Sequence, residues 1–286
     1  MSSIFSAEAR KIGVKTMKIR ICGLDFDDIG TERAVREAFA GGQCFAVTPN
    51  ALMLEDCLRV PAHLRLLARA SLTLPDGAGI LRAAAKSGTP FVHGRVAGID
   101  FGEALIRESA RRGERVFLLG GGDGIARRAA EALRARHPSL TIAGTYWGYF
   151  DRDGEENRNL VGILRACRPT VLLVCLGYPA QEEWIAANLS RLPSVRVAVG
   201  LGGSFDVWAG KVHRAPLLWQ RAGLEWAWRM LREPHRMENL PALLRFSRLS
   251  VKNAPPENVK MHMEANIRTN RLNENNENDK ISSKPL

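Results

Sequence analysis

The sequence predicts an α/β protein: a mostly parallel sheet with helices on both faces, followed by a helical C-terminal appendage. Three observations predict it. Short apolar, β-prone runs alternate with helical patterns along most of the 286 residues, which is the order of a parallel sheet joined by crossover helices. At least five of these runs end in a Gly- or Pro-marked loop rich in polar side chains. The most hydrophobic run, 171–176, is apolar throughout, as expected of a strand buried on both faces in the middle of such a sheet.

Residues 1–16 read as a loose leader, 18–26 alternates as a first strand, and 31–39 reads as a helix opened by a Thr31 cap. Residues 44–47 form a buried strand that stops at Thr48-Pro49-Asn50, and a helical pattern over 51–59 follows at once. Thr48 and Asn50 are residue types that cap a helix or bind the hydroxyl and phosphate groups of a ligand. Next, an apolar run from Ser71 breaks at Pro75-Asp76-Gly77-Ala78-Gly79 and turns into a helix through Lys86. In an open α/β sheet, ligands sit where loops leave the carboxyl ends of the strands and helix N-termini face the crevice. Asp76 therefore stands either as a cap or turn residue, or as an acid placed for chemistry.

Arg95 is a lone base in a Gly-punctuated loop, His93 reads as a structural histidine, and a helix runs from about 101 to 112. A strand from Arg115 enters Gly120-Gly121-Gly122-Asp123-Gly124, where backbone N–H groups approach a phosphate, before a helix over 125–136. This loop is not a dinucleotide fingerprint: residue 125 is no glycine, and no strand-end acid follows some 20 residues on. Another strand leaves through Tyr146-Trp147-Gly148-Tyr149-Phe150. The 171–176 strand ends at Gly177-Tyr178-Pro179, with Gln181 and Glu182 opening the next helix at its ligand-facing end. A last strand over 195–200 ends in Gly202-Gly203-Ser204-Phe205-Asp206. Polar residues gathered repeatedly at one end of a sheet point to a shared crevice.

Residues 211–252 hold nine Lys or Arg against three Glu, whereas 257–286 carries five of each sign. More than half of the +11 net charge thus sits in one seventh of the chain, which calls for an anionic partner there. Arg221, Glu225, Arg229, Arg232 and Arg236 are spaced to share one face of a helix that Pro234 should end or kink near its C-terminus, with Leu217, Leu224, Trp228 and Leu231 on a neighbouring stripe. Such a Trp-containing basic amphipathic segment suits an anionic membrane surface, or packs its apolar side on the main domain with arginines in solvent. Beyond Pro255-Pro256 the Asn-, Glu- and Lys-rich composition predicts disorder. Five cysteines with no Cys-x-x-Cys pair read as reduced thiols of a cytosolic protein. No run approaches the roughly 18 apolar residues that span a bilayer, and no signal-peptide core is present, so the expected place is the cytoplasm or a membrane surface facing it.

Taken in order, several pieces resemble the WecG/TagA/CpsF family of bacterial glycosyltransferases. They are Thr48-Pro49-Asn50, Asp76-Gly77-x-Gly79, Arg95 with Gly98-x-Asp100, Gly144 with Gly148-Tyr149-Phe150, Gly177-x-Pro179-x-Gln181-Glu182, Gly202-Gly203-x-Phe205-Asp206, Arg214-Ala215-Pro216, Glu225-Trp226 and Glu233-Pro234-x-Arg236. The resemblance covers about 18–240. It implies an inverting transfer of a sugar, of the N-acetylmannosamine type or a related hexose or uronic acid, from a UDP-sugar to a polyprenyl diphosphate-linked saccharide. Such products serve teichoic acid, common antigen or exopolysaccharide synthesis on the inner face of the plasma membrane. It also implies transfer without a metal and without a cofactor.

Asp76 is then the matching base, and cations must steady the departing diphosphate. Arg229 and Arg236, supported by Arg232 or Arg221, are the candidates, while Thr48, Asn50, Arg95, Gln181 and Glu182 line up with substrate-binding positions. Many relatives carry a further arginine where this chain has Asn239, and Arg245 is the candidate substitute. The expectation is a Rossmann-like catalytic domain over 17–210, a basic appendage over 211–252 that meets the membrane and completes the site as a lid, and a tail over 253–286. A homo-oligomer is compatible with this. An NAD-dependent oxidoreductase is the enzyme alternative, opposed by the imperfect glycine loop. A nucleic-acid-binding module is the other, opposed by basic charge confined to a Trp-rich segment.

Overall fold

The computed structural model describes residues 17–232 and 234–252; the expected leader and tail lie outside them. The chain opens with β1 (Lys18–Ile21) and β2 (Leu24–Asp27), paired antiparallel with Ile19 opposite Phe26. This corrects the single strand expected over 18–26: Cys22 and Gly23 both take positive φ, 49° and 85°, and fold the chain back. The hairpin stays outside the main sheet and is tied to it by acids. Asp27 Oδ2 accepts from Thr73 N at 2.9 Å, and Asp28 accepts from the backbone of Val92 and His93. His93 is structural, its Nδ1 lying 3.3 Å from Asp28 Oδ1.

Six strands form one all-parallel sheet in the order β4 (Leu72–Thr73), β3 (Cys44–Val47), β8 (Val197–Gly200), β7 (Val171–Cys175), β5 (Arg115–Gly120) and β6 (Thr141–Tyr146). Period-two alternation sorts its side chains cleanly. Val171, Leu173 and Cys175 of β7, with Val116 and Leu118 of β5, face one core. Leu172, Val174, Phe117 and Leu119 face the other. The first core is closed by α1 (Thr31–Ala40), α5 (Gly98–Arg112), α6 (Ile125–Arg136) and α9 (Ser204–Trp208). The second is closed by α2 (Ala51–Arg59), α3 (Pro61–Leu67), α4 (Ala78–Lys86), α7 (Glu155–Cys167), α8 (Ala180–Asn188) and the hairpin. Helix α1 starts at Gly30 with no side-chain cap, so the Thr31 cap expected from the sequence is not made. All five cysteines are free, and burial pushes the Cys44 thiol up to about 12.

A helix of the appendage ends just before Pro234 as expected, but the appendage is not one helix from Arg221 to that point, so the five charges do not share one face. It breaks into α10 (Leu217–Arg221), α11 (Glu225–Arg232), a 3₁₀ turn (Pro234–Asn239) and α12 (Leu240–Lys252). Gly223 makes the first break. Its φ of +68° suits glycine, and a Cβ there would lie 2.8 Å from Ala78 Cβ, so the appendage backbone sits directly on the start of α4. Helix α12 returns across α2 and α4 and buries Phe246 in the second core. Burial of a side chain that size contributes about 1.5–3 kcal/mol. No helix among the described residues is long and apolar enough to cross a membrane.

Candidate active site

A cavity of about 1190 Å³ opens at the carboxyl ends of the six parallel strands. The loops after β3, β4, β5, β6, β7 and β8 supply Thr48, Asp76, Gly121, Gly148, Gln181 and Gly202 to its wall. Helices α2 and α4 and the segment leading into α5 add to it, and the appendage supplies Glu225, Trp226 and Met230 from α11 and Leu243 from α12.

Asp76 does not cap α4, because Gly77, at φ +88°, occupies that position and offers no side chain. Instead its Oδ2 accepts from the backbone N of Gly98, the first residue of α5, at 3.4 Å. A helix N-terminus carries partial positive charge and favours a carboxylate beside it. The turn is stitched on both sides: Asp76 N donates to Pro49 O, and Val96 N donates to Pro75 O. The glycines around it are places of close approach. A Cβ on Gly98 would lie 2.7 Å from Thr48 Oγ1, and one on Gly79 2.8 Å from Ala51 Cβ. Thr48, Gly98 and Asp76 therefore form one packed corner. Asn50 next to it caps α2, its Oδ1 accepting from Leu52 and Met53 N at 3.0 and 3.2 Å.

On the opposite wall, Gly121 N donates to Cys175 O and Gly148 N to Gly121 O, both at 2.9 Å. Gly120, at φ +129°, leaves no room for a Cβ, which would lie 2.3 Å from Cys175 O. Three loops thus run side by side with bare backbone at the surface, an arrangement that admits a phosphate closely. Gln181 is fixed at both ends of its amide: Nε2 donates to Glu182 Oε1 at 2.8 Å, and Oε1 accepts from Gly202 N at 3.0 Å. Glu182 is 1% exposed, and burial raises its carboxyl to about 7 despite the Gln181 bond, with Glu183 pushing the same way.

Charged groups from the two regions meet in a chain. Arg95 Nη1 contacts Glu225 Oε2 at 3.3 Å, Arg214 Nε contacts Glu225 Oε1 at 3.3 Å, and Arg214 grips both Asp100 oxygens at 2.5 and 2.9 Å. Sequence reasoning gave Arg214, Asp100 and Glu225 no role of their own. It also missed a second group in the cavity wall, where Asp56 Oδ2 meets His63 Nδ1 at 2.5 Å and accepts from Tyr178 OH at 2.8 Å. Asp56 and Tyr178 are 122 residues apart, so no spacing could have paired them.

Of the residues singled out in the sequence, Asp76, Thr48, Asn50, Arg95, Gln181 and Glu182 share the cavity wall. Arg221 and Arg232 stand outside it, and Arg232 stacks on Trp228 with its guanidinium carbon 5.0 Å from the ring centre. The side chains of Arg229 and Arg236 lie outside the described residues. Asn239 lines the cavity, and so does Arg245, which is bound to the buried Glu55 at 2.7 Å. Among the described residues no group of three or more His, Cys, Asp or Glu has the placement to hold a metal ion. The assembled wall offers a carboxylate for proton transfer, a guanidinium for an anion, glycine backbone that a ligand can approach closely, and fixed amide and hydroxyl groups for orientation.

The family model described as the glycosyl transferase WecG/TagA/CpsF family matches residues 14–258. The N-acetylglucosaminyldiphosphoundecaprenol N-acetyl-beta-D-mannosaminyltransferase of Staphylococcus aureus strain MW2 is 30% identical over 234 residues, 80% of this chain and 90% of its own. Its counterpart in strain NCTC 8325 is equally similar over the same shares. The chain belongs to the WecG/TagA/CpsF family of glycosyl transferases.

Proposed function

We propose that this glycosyltransferase moves a sugar from a UDP-sugar to a saccharide carried on a polyprenyl diphosphate, with inversion and without a metal, in the synthesis of a cell-surface polysaccharide. The observation that carries the reading is the Asp76 carboxylate, held against the N-terminus of α5 in a cavity shared by all six strand ends and the appendage. The relatives' names, which join an N-acetylmannosaminyl transfer to a diphosphoundecaprenol-linked sugar, support the acceptor class.

In this reading Asp76 takes the proton of the acceptor hydroxyl as that oxygen attacks the anomeric carbon. The bond from that carbon to the diphosphate oxygen breaks on the opposite face, and UDP leaves with the electron pair. Positive charge at the leaving diphosphate comes from Arg95 and from the appendage arginines Arg229 and Arg236; Arg221 and Arg232, which stand outside the cavity, take no part. Thr48, Asn50, Gln181 and Glu182 orient the sugars. Leu217, Leu218 and Leu231, each more than two-thirds exposed, together with the basic excess over 211–252, fit an anionic lipid surface on the cytoplasmic face.

The test is UDP release by the full chain with a panel of UDP-sugars, a polyprenyl diphosphate-linked N-acetylglucosamine and EDTA. Acceptor-dependent release from one donor, undiminished by EDTA, is expected. Release that requires no acceptor, or no release from any donor in lipid vesicles, contradicts the reading.

A further inference from the structure

A second polar cluster lies in the cavity wall and has no part in the transfer step. Asp56 on α2 accepts from Tyr178 OH at 2.8 Å and meets His63 Nδ1 on α3 at 2.5 Å, and the two rings pack edge to face with centres 5.7 Å apart. With Nδ1 held by a carboxylate, the imidazole presents its other nitrogen, Nε2, which makes no hydrogen bond among the described residues. All three residues line the cavity, and the side chains of His63 and Asp56 are 21% and 32% exposed, so a ligand can reach them. Arg59, one turn beyond Asp56 on α2, is exposed and lines the same cavity.

Helix α4 adds two further bases. It leaves the Asp76 corner together with α2, since a Cβ on Gly79 would lie 2.8 Å from Ala51 Cβ. Farther out α12 bridges the two helices: Arg245 bonds Glu55 at 2.7 Å, and Lys86 Nζ lies 3.4 Å from Ser247 O. Arg82 and Lys86, four residues apart, share one face of α4, are exposed and line the cavity. At the rise of a helix they stand about 6 and 12 Å along α4 from its first residue, and Arg59 about 12 Å along α2 from its own. The acids at this end are already engaged, Glu55 by Arg245 and Asp56 by His63 and Tyr178. Arg59, Arg82 and Lys86 bond to no acid among the described residues.

Sheet order says which anion this charge faces. Asp76 follows β4 at one edge of the sheet, whereas the bare glycine loops follow β5 and β6 at the other. An acceptor whose hydroxyl reaches Asp76 therefore comes in beside α2 and α4, and its own diphosphate lies one sugar ring farther out along them. Leu240, Leu243 and Leu244 of α12 line the cavity over the same two helices, apolar surface that suits a prenyl chain and not a nucleotide. We propose that Arg59, His63, Arg82 and Lys86 bind the diphosphate of the lipid-borne acceptor, with Asp56 and Tyr178 as positioning residues that turn His63 Nε2 toward it. This inference rests on the sugar-transfer reading above.

The test is equilibrium binding of farnesyl diphosphate to the full chain with UDP present at saturation, with UDP affinity measured on the same samples. Wild type is expected to bind it, and the double variants Arg59→Gln/His63→Gln and Arg82→Gln/Lys86→Gln to bind it about 10- to 100-fold more weakly. UDP affinity is expected to stay within about 2-fold. Asp56→Asn keeps the size of the side chain and is expected to weaken farnesyl diphosphate about 3- to 10-fold, again without loss of UDP. In turnover the double variants should raise KM for a polyprenyl diphosphate-linked N-acetylglucosamine and leave kcat nearly unchanged. Farnesyl diphosphate that wild type does not bind, or that the variants bind equally well, overturns the inference. An equal loss of UDP affinity also overturns it, by assigning the cluster to the nucleotide or to the fold. Binding is read without turnover, so its failure overturns this inference alone. A wild type that transfers no sugar from any donor overturns the transfer reading and the inference with it.

Discussion

The sheet domain and the appendage place functional groups by different means. In the sheet domain the backbone does it: Asp76, Thr48 and Gln181 sit at strand ends, and Gly98, Gly120 and Gly200 let neighbouring loops close on them. In the appendage, side chains do it. Glu225 and Arg214 hook α11 onto Arg95 and Asp100, Arg245 reaches Glu55, and Phe246 anchors α12, while Leu217 and Leu218 remain 68% and 78% exposed. A site held by backbone is rigid. One held by a few ion pairs and a single buried ring opens at lower cost.

This contrast is broken first at Gly120. Gly120→Ala forces a Cβ to within 2.3 Å of Cys175 O at φ +129°, so a loss of about 3–5 kcal/mol in urea unfolding is expected. A loss below 1 kcal/mol would mean that the loops are not rigidly stitched.

The second effect is linked to pH. Glu182 stays protonated in the fold up to about 7 because of burial, against an ordinary 4.5. Between those values the unfolded chain gives up the proton and the fold keeps it, so this group's contribution is intact below 4.5 and declines until about 7. Glu182→Gln has no proton to lose. Its stability relative to wild type is expected to rise by on the order of 3 kcal/mol between pH 4.5 and pH 8. A constant difference across that range would show the carboxyl to be solvated.

Smaller effects are expected in the appendage. Glu225→Gln removes the carboxylate shared by Arg95 and Arg214 and should lower kcat/KM about 10-fold while moving the melting temperature little. An equal fall in folding stability would mark the pair as structural. The double change Leu217→Glu, Leu218→Glu should leave stability within about 0.5 kcal/mol and weaken binding to anionic vesicles. Unchanged vesicle binding would remove this face from membrane contact.

What the sequence made legible follows the same division. Strand ends could be read because period-two burial stops at glycine or proline, and the six loops so marked do converge on one cavity. The hairpin escaped notice because the alternation of Ile19 and Ile21 resumes at Leu24 and Phe26 after a slip of a single residue at Cys22-Gly23, where both residues take positive φ and turn the chain. In the appendage, charge spacing favoured one helix, and Gly223 in the middle of the pattern was the signal that it breaks. The contacts that matter there join residues 130 and 114 positions apart, Arg95 to Glu225 and Asp100 to Arg214, and no local pattern encodes them. The ordered motif series did group those residues, because family membership reflects the folded site rather than the chain; with it the oxidoreductase and nucleic-acid alternatives fall away.

The account turns on Asp76, and its most direct test is the single-turnover rate of Asp76→Asn beside wild type, with donor binding measured on the same samples. The amide keeps the size of the side chain and cannot take the acceptor's proton. A fall in the chemical step of about 100- to 10,000-fold with donor affinity nearly unchanged is the predicted result. A variant that transfers sugar at the wild-type rate would contradict the account and move the base to another group in the cavity.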